Sequence, residues 1–142
     1  MADEIRLVIF DMAGTTVHDN GQVPNAFKKA MAEHNLEVTV EQLSQVRGSS
    51  KRQAIADLIP ESRKNEVDSE VVYATFCNYL SVRYESEGVR PIDGPQEIFR
   101  TLRSSAVRVA LNTGFDRNIT NLILKFFGIV QERLSESGLS FF

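Results

Sequence analysis

The chain has a single cysteine, Cys77, and no tryptophan. One cysteine cannot close an internal disulfide, so the fold does without that staple, as proteins of reducing compartments do. Glycine and proline are sparse, at 8 and 4 residues of 142. With 42% apolar and 25% charged residues, this excludes a collagen-like, low-complexity or disordered chain. No apolar run approaches the roughly 20 residues that cross a bilayer. The first residues, Met-Ala-Asp-Glu, are acidic where a secretory signal would be basic. Neither charge sign dominates: 16 Lys and Arg stand against 19 Asp and Glu, a net charge of −3. No global basic field attracts nucleic acid or an anionic membrane surface. The expectation is a cytoplasmic globular protein of one domain, or two small ones.

The patterning that is present points to an α/β fold. Residues 5–10, Ile-Arg-Leu-Val-Ile-Phe, form a short, nearly continuous apolar run before a glycine-containing turn. That predicts a strand buried on both faces of a parallel sheet. From Pro24 the period becomes helical through Phe27, Ala30, Met31 and Asn35. Thr39 and Gln42 have capping-box spacing ahead of Val40, Leu43 and Val46. A third helix starts at Ser49 or Ser50 and carries Ala54, Ile55, Leu58 and Ile59. A fourth spans about 67–85, with the stripe Val71, Val72, Thr75, Phe76, Tyr79, Leu80 and Arg83, and Gly88 as its stop. A helix with Ile98, Phe99 and Leu102 then leads into a second strand, residues 107–112. The last clear helix is capped by Asp116 or Asn118, shows Ile119, Leu122, Ile123 and Phe126 on one face, and ends at Gly128. Residues 130–142 have a weak pattern. Strand and helix alternate in the outer parts, and the helical block between them is too long for a simple crossover. It is read as an all-helical cap, residues 17–90, inserted into an α/β core of residues 1–16 and 91–142.

Ligands of open α/β sheets bind at the carboxyl ends of the strands. Two polar clusters stand there: Asp11 with Gly14 and Thr15, and Thr113 with Gly114. A carboxylate held by a rigid strand can act as a nucleophile that forms an acyl phosphate, or as a metal ligand. Thr113 and the amides around Gly114 can hold phosphate oxygens at the start of a helix. Singly, Asp11 and Thr113 are also compatible with plain loop caps. His18 and His34 lack metal-ligand partners, and Cys77 reads as a small core residue.

These residues carry a resemblance. Leu7-Val-Ile-Phe-Asp11-Met-Ala-Gly-Thr15-Thr resembles the first signature of the haloacid dehalogenase superfamily, an apolar strand followed by Asp-x-Asp-x-Thr. Val109-Ala-Leu-Asn-Thr113-Gly resembles its second, and the helical block stands where that superfamily inserts its first cap type. The resemblance runs from residue 5 to about 128. It implies a Rossmann-like core, Asp11 as nucleophile, Thr15, Thr113 and Gly114 at the phosphate, and Mg²⁺ on the Asp11 carboxylate and the Ala13 carbonyl. Oxygen ligands completed by water suit that ion. Most phosphatases of the superfamily have a second Asp, a general acid, where Ala13 stands. Asp-x-Ala-Gly-Thr-Thr instead resembles the phosphonatase branch, which hydrolyses phosphonoacetaldehyde. Cleaving a carbon–phosphorus bond needs an electron sink, supplied by a cap lysine as a Schiff base. Lys51 in Gly48-Ser-Ser-Lys51 has the spacing, and Arg47 and Arg52 nearby would favour its neutral amine. Arg47 stands where phosphonatases have Met, and Ala54 where they have His.

The superfamily also needs, beyond Thr113, a basic residue and a strand ending in acids. Lys125 and Arg133 are basic only by type, and Glu132 and Glu136 read as a solvated face. With the cap set aside, about 68 residues remain, and at roughly 30 per βαβ unit they build half of a doubly wound sheet. The chain therefore reads as C-terminally truncated. Two functions follow. One is a Mg²⁺-dependent, phosphatase-like or phosphonatase-like hydrolase of a small phosphorylated or phosphonate metabolite. The other is an inactive fragment that serves as a binding or interaction module. A phosphoacceptor receiver domain also uses an Asp after a strand, but has no such helical insertion. The Phe141-Phe142 end and an exposed sheet edge favour self-association as a homodimer.

Overall fold

The structure is a computed structural model that describes residues 4–126 and the backbone of 139–141. The elements in chain order are β1 (Leu7–Asp11), α1 (Gln22–Glu33), α2 (Val40–Gln45), α3 (Lys51–Leu58), a 3-10 turn (Glu61–Arg63), α4 (Ser69–Glu87), α5 (Pro95–Ser104), β2 (Arg108–Asn112), α6 (Arg117–Phe126) and β3 (Leu139–Phe141). The three strands form one parallel sheet in the order β1-β2-β3. β3 is an addition to the two strands that the apolar runs announce. Gly128, Glu132, Arg133 and Glu136 lie outside the described residues.

The chain divides into two compact units. The first takes the chain up to Asp19, then Val89–Thr113, then the chain from Thr120 onward. Its centre is β2, where Val109, Ala110 and Leu111 are all buried, with Phe99 of α5 beside them in the core. The Phe99 ring meets Phe10 of β1 edge-on, with centroids 5.1 Å apart. β1 itself departs from the expected strand buried on both faces. Val8 and Phe10 are half-buried, but Leu7 and Ile9 are exposed, Ile9 at 53%. Leu7 and Ile9 alternate with Val8 and Phe10 and so share one face of the strand, and that face is exposed among the described residues.

The second unit comprises Asn20–Gly88 and Gly114–Ile119. Its core is the seam between α1 and α4, closed by α3. The Phe27 and Phe76 rings lie 4.6 Å apart, and Ala30, Met31, Ala54, Ile55, Val72 and Leu80 are fully buried. α1 begins at Gln22, ahead of Pro24, because Gly21 turns the chain at φ +78°. The buried Gln22 amide then donates to Glu87 Oε2 at 3.2 Å. Asn35 does not extend the α1 stripe; it lies past the helix at φ +56°. α2 has the capping box, with the Gln42 amide on Thr39 Oγ1 at 3.2 Å and the Thr39 amide on Gln42 Oε1 at 2.8 Å. The expected apolar side of α2 is not buried, and Val40 is exposed. α4 starts on an Asp68 cap and stops at Gly88, φ +76°. Its buried side is Val72, Tyr73, Phe76, Leu80 and Tyr84, so the stripe is rotated from the expected one and Val71 faces solvent.

No helix among the described residues is long and apolar enough to cross a membrane. Phe76→Ala should cost about 3–5 kcal/mol of stability, the usual penalty for emptying a packed aromatic site. The exposed Val71→Ala should change it by less than about 0.5 kcal/mol. Urea unfolding followed by circular dichroism measures both.

Candidate active site

In the first unit, strand register sets the geometry. Asp11 closes β1 directly opposite Asn112, the last residue of β2. Thr113 follows Asn112, so Asp11 and Thr113 share the carboxyl end of the sheet. The Asp11 side is exposed, and Thr113 is half-buried.

The loop after Asp11 is tightly wound. The Met12 carbonyl accepts the amides of Thr15, Thr16 and Val17 at 3.1, 2.9 and 3.0 Å. The Gly14 amide reaches the Val17 carbonyl at 2.7 Å, and Gly14 has φ +80°, a conformation open to glycine at no steric cost. None of these backbone bonds goes to the Ala13 carbonyl, which together with the Asp11 carboxylate offers two hard oxygen donors. The two threonines divide the work. Thr15 is exposed, while Thr16 is buried and its hydroxyl contacts the Asp11 and Met12 carbonyls at 3.3 Å. Sequence reasoning named Thr15 alone. Among the described residues no group of three or more His, Cys, Asp or Glu is placed to hold a metal.

In the second unit, Lys51 is the first residue of α3, with Ser50 as cap accepting the Gln53 amide at 3.2 Å. The Lys51 amide donates to the Gly114 carbonyl at 3.1 Å. The half-buried Lys51 ammonium reaches the Ser49 carbonyl at 3.5 Å and stands 5.5 Å from the centre of the buried Phe115 ring. Gly114 permits this approach, because a Cβ there would lie 2.9 Å from the Ser49 carbonyl oxygen and 3.6 Å from Lys51 Nζ. Arg52 pairs with Glu70 and lies 4.4 Å over the Tyr73 ring, while Arg47 is exposed.

Asp116 anchors the same segment. It caps α6 by accepting the Ile119 amide at 2.9 Å, and it takes the Tyr73 hydroxyl at 2.9 Å and the Cys77 thiol at 3.6 Å. Burial by itself raises the Asp116 pKa, but the Ile119 amide, the Tyr73 hydroxyl and the Cys77 thiol outweigh it and hold the carboxyl below its usual range. The Tyr73 hydroxyl and the Cys77 thiol are both pushed up, burial being the largest cause. The helix-cap spacing pointed to Asp116; its partners 39 and 43 positions away left no sequence signal.

The haloacid dehalogenase-like hydrolase family matches residues 8–132. The chain belongs to that family. Phosphonoacetaldehyde hydrolase of Hahella chejuensis is 27% identical over 132 residues, covering 84% of this chain and 45% of that protein. The Bacillus cereus enzyme of the same name is 28% identical over 135 residues, covering 86% and 51%. The chain thus spans about half the length of the curated relatives it matches. Among solved structures, a hydrolase from Pseudomonas syringae superposes with a TM-score of 0.79 at 16% identity, over 97% of this chain and 61% of its own. A phosphonoacetaldehyde hydrolase-like protein from Oleispira antarctica gives 0.71 at 23% identity, over 96% and 53%. The α/β fold of this haloacid dehalogenase-like chain is therefore shared with known hydrolases.

Two outcomes check this geometry. Gly114→Ala should lower stability by about 1–3 kcal/mol, as a methyl forced onto backbone does, read from urea unfolding. Asp116→Asn should show a pH-dependent deficit. The folded carboxyl titrates below its ordinary value of 3.8, so its charged form stabilises the fold above that pH, and the benefit is lost as pH falls through the folded value. The stability gap to the wild type should hold from neutral pH to about 5 and close below about 4.

Proposed function

We propose that this chain is a phosphonatase-like hydrolase acting on a small phosphorylated or phosphonate metabolite through an aspartyl-phosphate on Asp11. The observation that carries the reading is the register of β1 on β2, which sets Asp11 and Thr113 at one end of the sheet. The relatives named phosphonoacetaldehyde hydrolase support the substrate class.

In this reading an Asp11 carboxylate oxygen attacks phosphorus and forms an aspartyl-phosphate. The Thr113 and Thr15 hydroxyls and the Gly114 amide bind the phosphoryl oxygens. Lys51 condenses with the aldehyde as a Schiff base, releasing water. When the carbon–phosphorus bond breaks, its electron pair passes into the protonated imine, which becomes an enamine and replaces the general acid absent at Ala13. The enamine carbon then takes a proton from water, and hydrolysis of the resulting imine frees acetaldehyde and the Lys51 amine. Water then hydrolyses the aspartyl-phosphate and frees Asp11. The Asp11 carboxylate and the Ala13 carbonyl fit Mg²⁺ as two oxygen ligands, to be completed by water and by an acidic residue from a later strand. Bound there, the ion would offset the charge of the phosphoryl group. Residues 1–16 and 91–142 form the catalytic core in this reading, and 17–90 the cap, which carries Lys51.

Beryllium fluoride with Mg²⁺ mimics an aspartyl-phosphate. At a hundredfold excess over Kd it should stabilise the chain by about 2.7 kcal/mol, read as a rise in Tm. Asp11→Asn should abolish both that rise and phosphate release from phosphonoacetaldehyde. A rise in Tm without turnover supports the alternative, an inactive binding module. No rise in any condition overturns the Asp11 site.

A further inference from the structure

Lys51 opens α3, where the backbone N–H groups of the first turn have no partner inside the helix. Its N–H is taken by the Gly114 carbonyl at 3.1 Å, and its ammonium stands 5.5 Å from the centre of the Phe115 ring. Main chain and side chain of Lys51 therefore both rest on the segment Gly114–Phe115. The next residue, Asp116, is held by the Tyr73 hydroxyl at 2.9 Å. Tyr73 is buried on α4, stacked 6.2 Å from Phe76, with the Arg52 guanidinium 4.4 Å over its ring. Arg52 is the neighbour of Lys51 on α3, and Asp116 is the neighbour of Phe115. Tyr73 thus touches both the helix that carries the lysine and the segment on which the lysine rests.

We infer that Tyr73 is a positioning residue for Lys51, acting through Asp116 to fix Gly114–Phe115 against the first turn of α3. The inference deepens the proposed function and rests on Lys51 as the reacting amine. Tyr73→Phe removes one hydroxyl and keeps the ring that packs on Phe76 and Arg52.

The test is reductive trapping on the full chain with phosphonoacetaldehyde and cyanoborohydride, followed by mass spectrometry at Lys51. The amine adds to the aldehyde, water leaves, and hydride from cyanoborohydride reduces the imine to a stable secondary amine. At saturating aldehyde, Tyr73→Phe should lower the rate constant of labelling about tenfold, the weight of one hydrogen bond. The half-saturating aldehyde concentration and the final extent of labelling should stay unchanged, whereas a loss of folding would lower the extent. Asp116→Asn should slow labelling similarly, and the double variant should be no slower than the slower single one. Thr75→Val, on α4 like Tyr73, removes a hydroxyl that lies 3.0 Å from His34 at the end of α1 and should leave the rate constant unchanged. Equal rates in Tyr73→Phe and wild type, or fully additive losses in the double variant, overturn the inference. If the wild type takes no label, the Lys51 reading falls, and the latch formed by Tyr73 and Asp116 on Gly114–Phe115 is judged by hydrogen exchange of the Lys51 amide. That exchange should quicken about tenfold in Tyr73→Phe; unchanged exchange refutes the latch.

Discussion

The parallel ladder between β1 and β2 decides which residues share the carboxyl end of the sheet. Side chains alternate along a strand, so a slip of one residue would reverse every face of β1. It would expose Phe10, which now meets Phe99, and would move Asp11 out of line with Asn112. The site residues of the first unit depend on this register because none of them lies deep inside a strand. Asp11 ends one strand, Thr113 follows the other, and the loop from Met12 to Val17 is wound by bonds to a single carbonyl.

The second unit is organised differently. Its apolar seam of α1, α3 and α4 supplies the bulk, and a chain of polar groups runs beside it. Glu70, Arg52, Tyr73 and Asp116 follow one another from an exposed ion pair to the cap of α6. Polar groups withdrawn from water are tolerated when their partners are present, and here the half-buried Asp116 accepts an amide, a hydroxyl and a thiol. The same network seats the segment against which Lys51 packs. Apolar packing places the helices, and directional bonds place the lysine.

Local features of the sequence translated well into structure. The Thr39 capping box, the Ser50 cap and the Gly88 stop are all present, because each depends on residues within one turn. The strand-loop signatures at Asp11 and Thr113 marked the family, and both strands lie where the apolar runs place them. What depended on distant partners was not legible. α4 is apolar on more than one side, with Val71 and Val82 exposed, so spacing alone did not show that Tyr73 and Tyr84 face inward. The open face of β1 depends on which elements pack over the sheet, which no local pattern encodes. β3 is only three residues long, too short for a periodic signal. The roles of Thr16 and Asp116 come from bonds to a neighbouring carbonyl and to a helix far along the chain.

The capping box of α2 has one further consequence. A helix of six residues with none fully buried and only Leu43 half-buried is held chiefly by its two ends, and helices so short have little stability of their own in water. Its opening therefore exposes little apolar surface beyond Leu43 and Val46, and its free energy lies below that of global unfolding. The segment from Thr39 to Gly48 is thus a place where the backbone can open, be cut or be lengthened, while the Phe27–Phe76 seam keeps the rest of the unit folded.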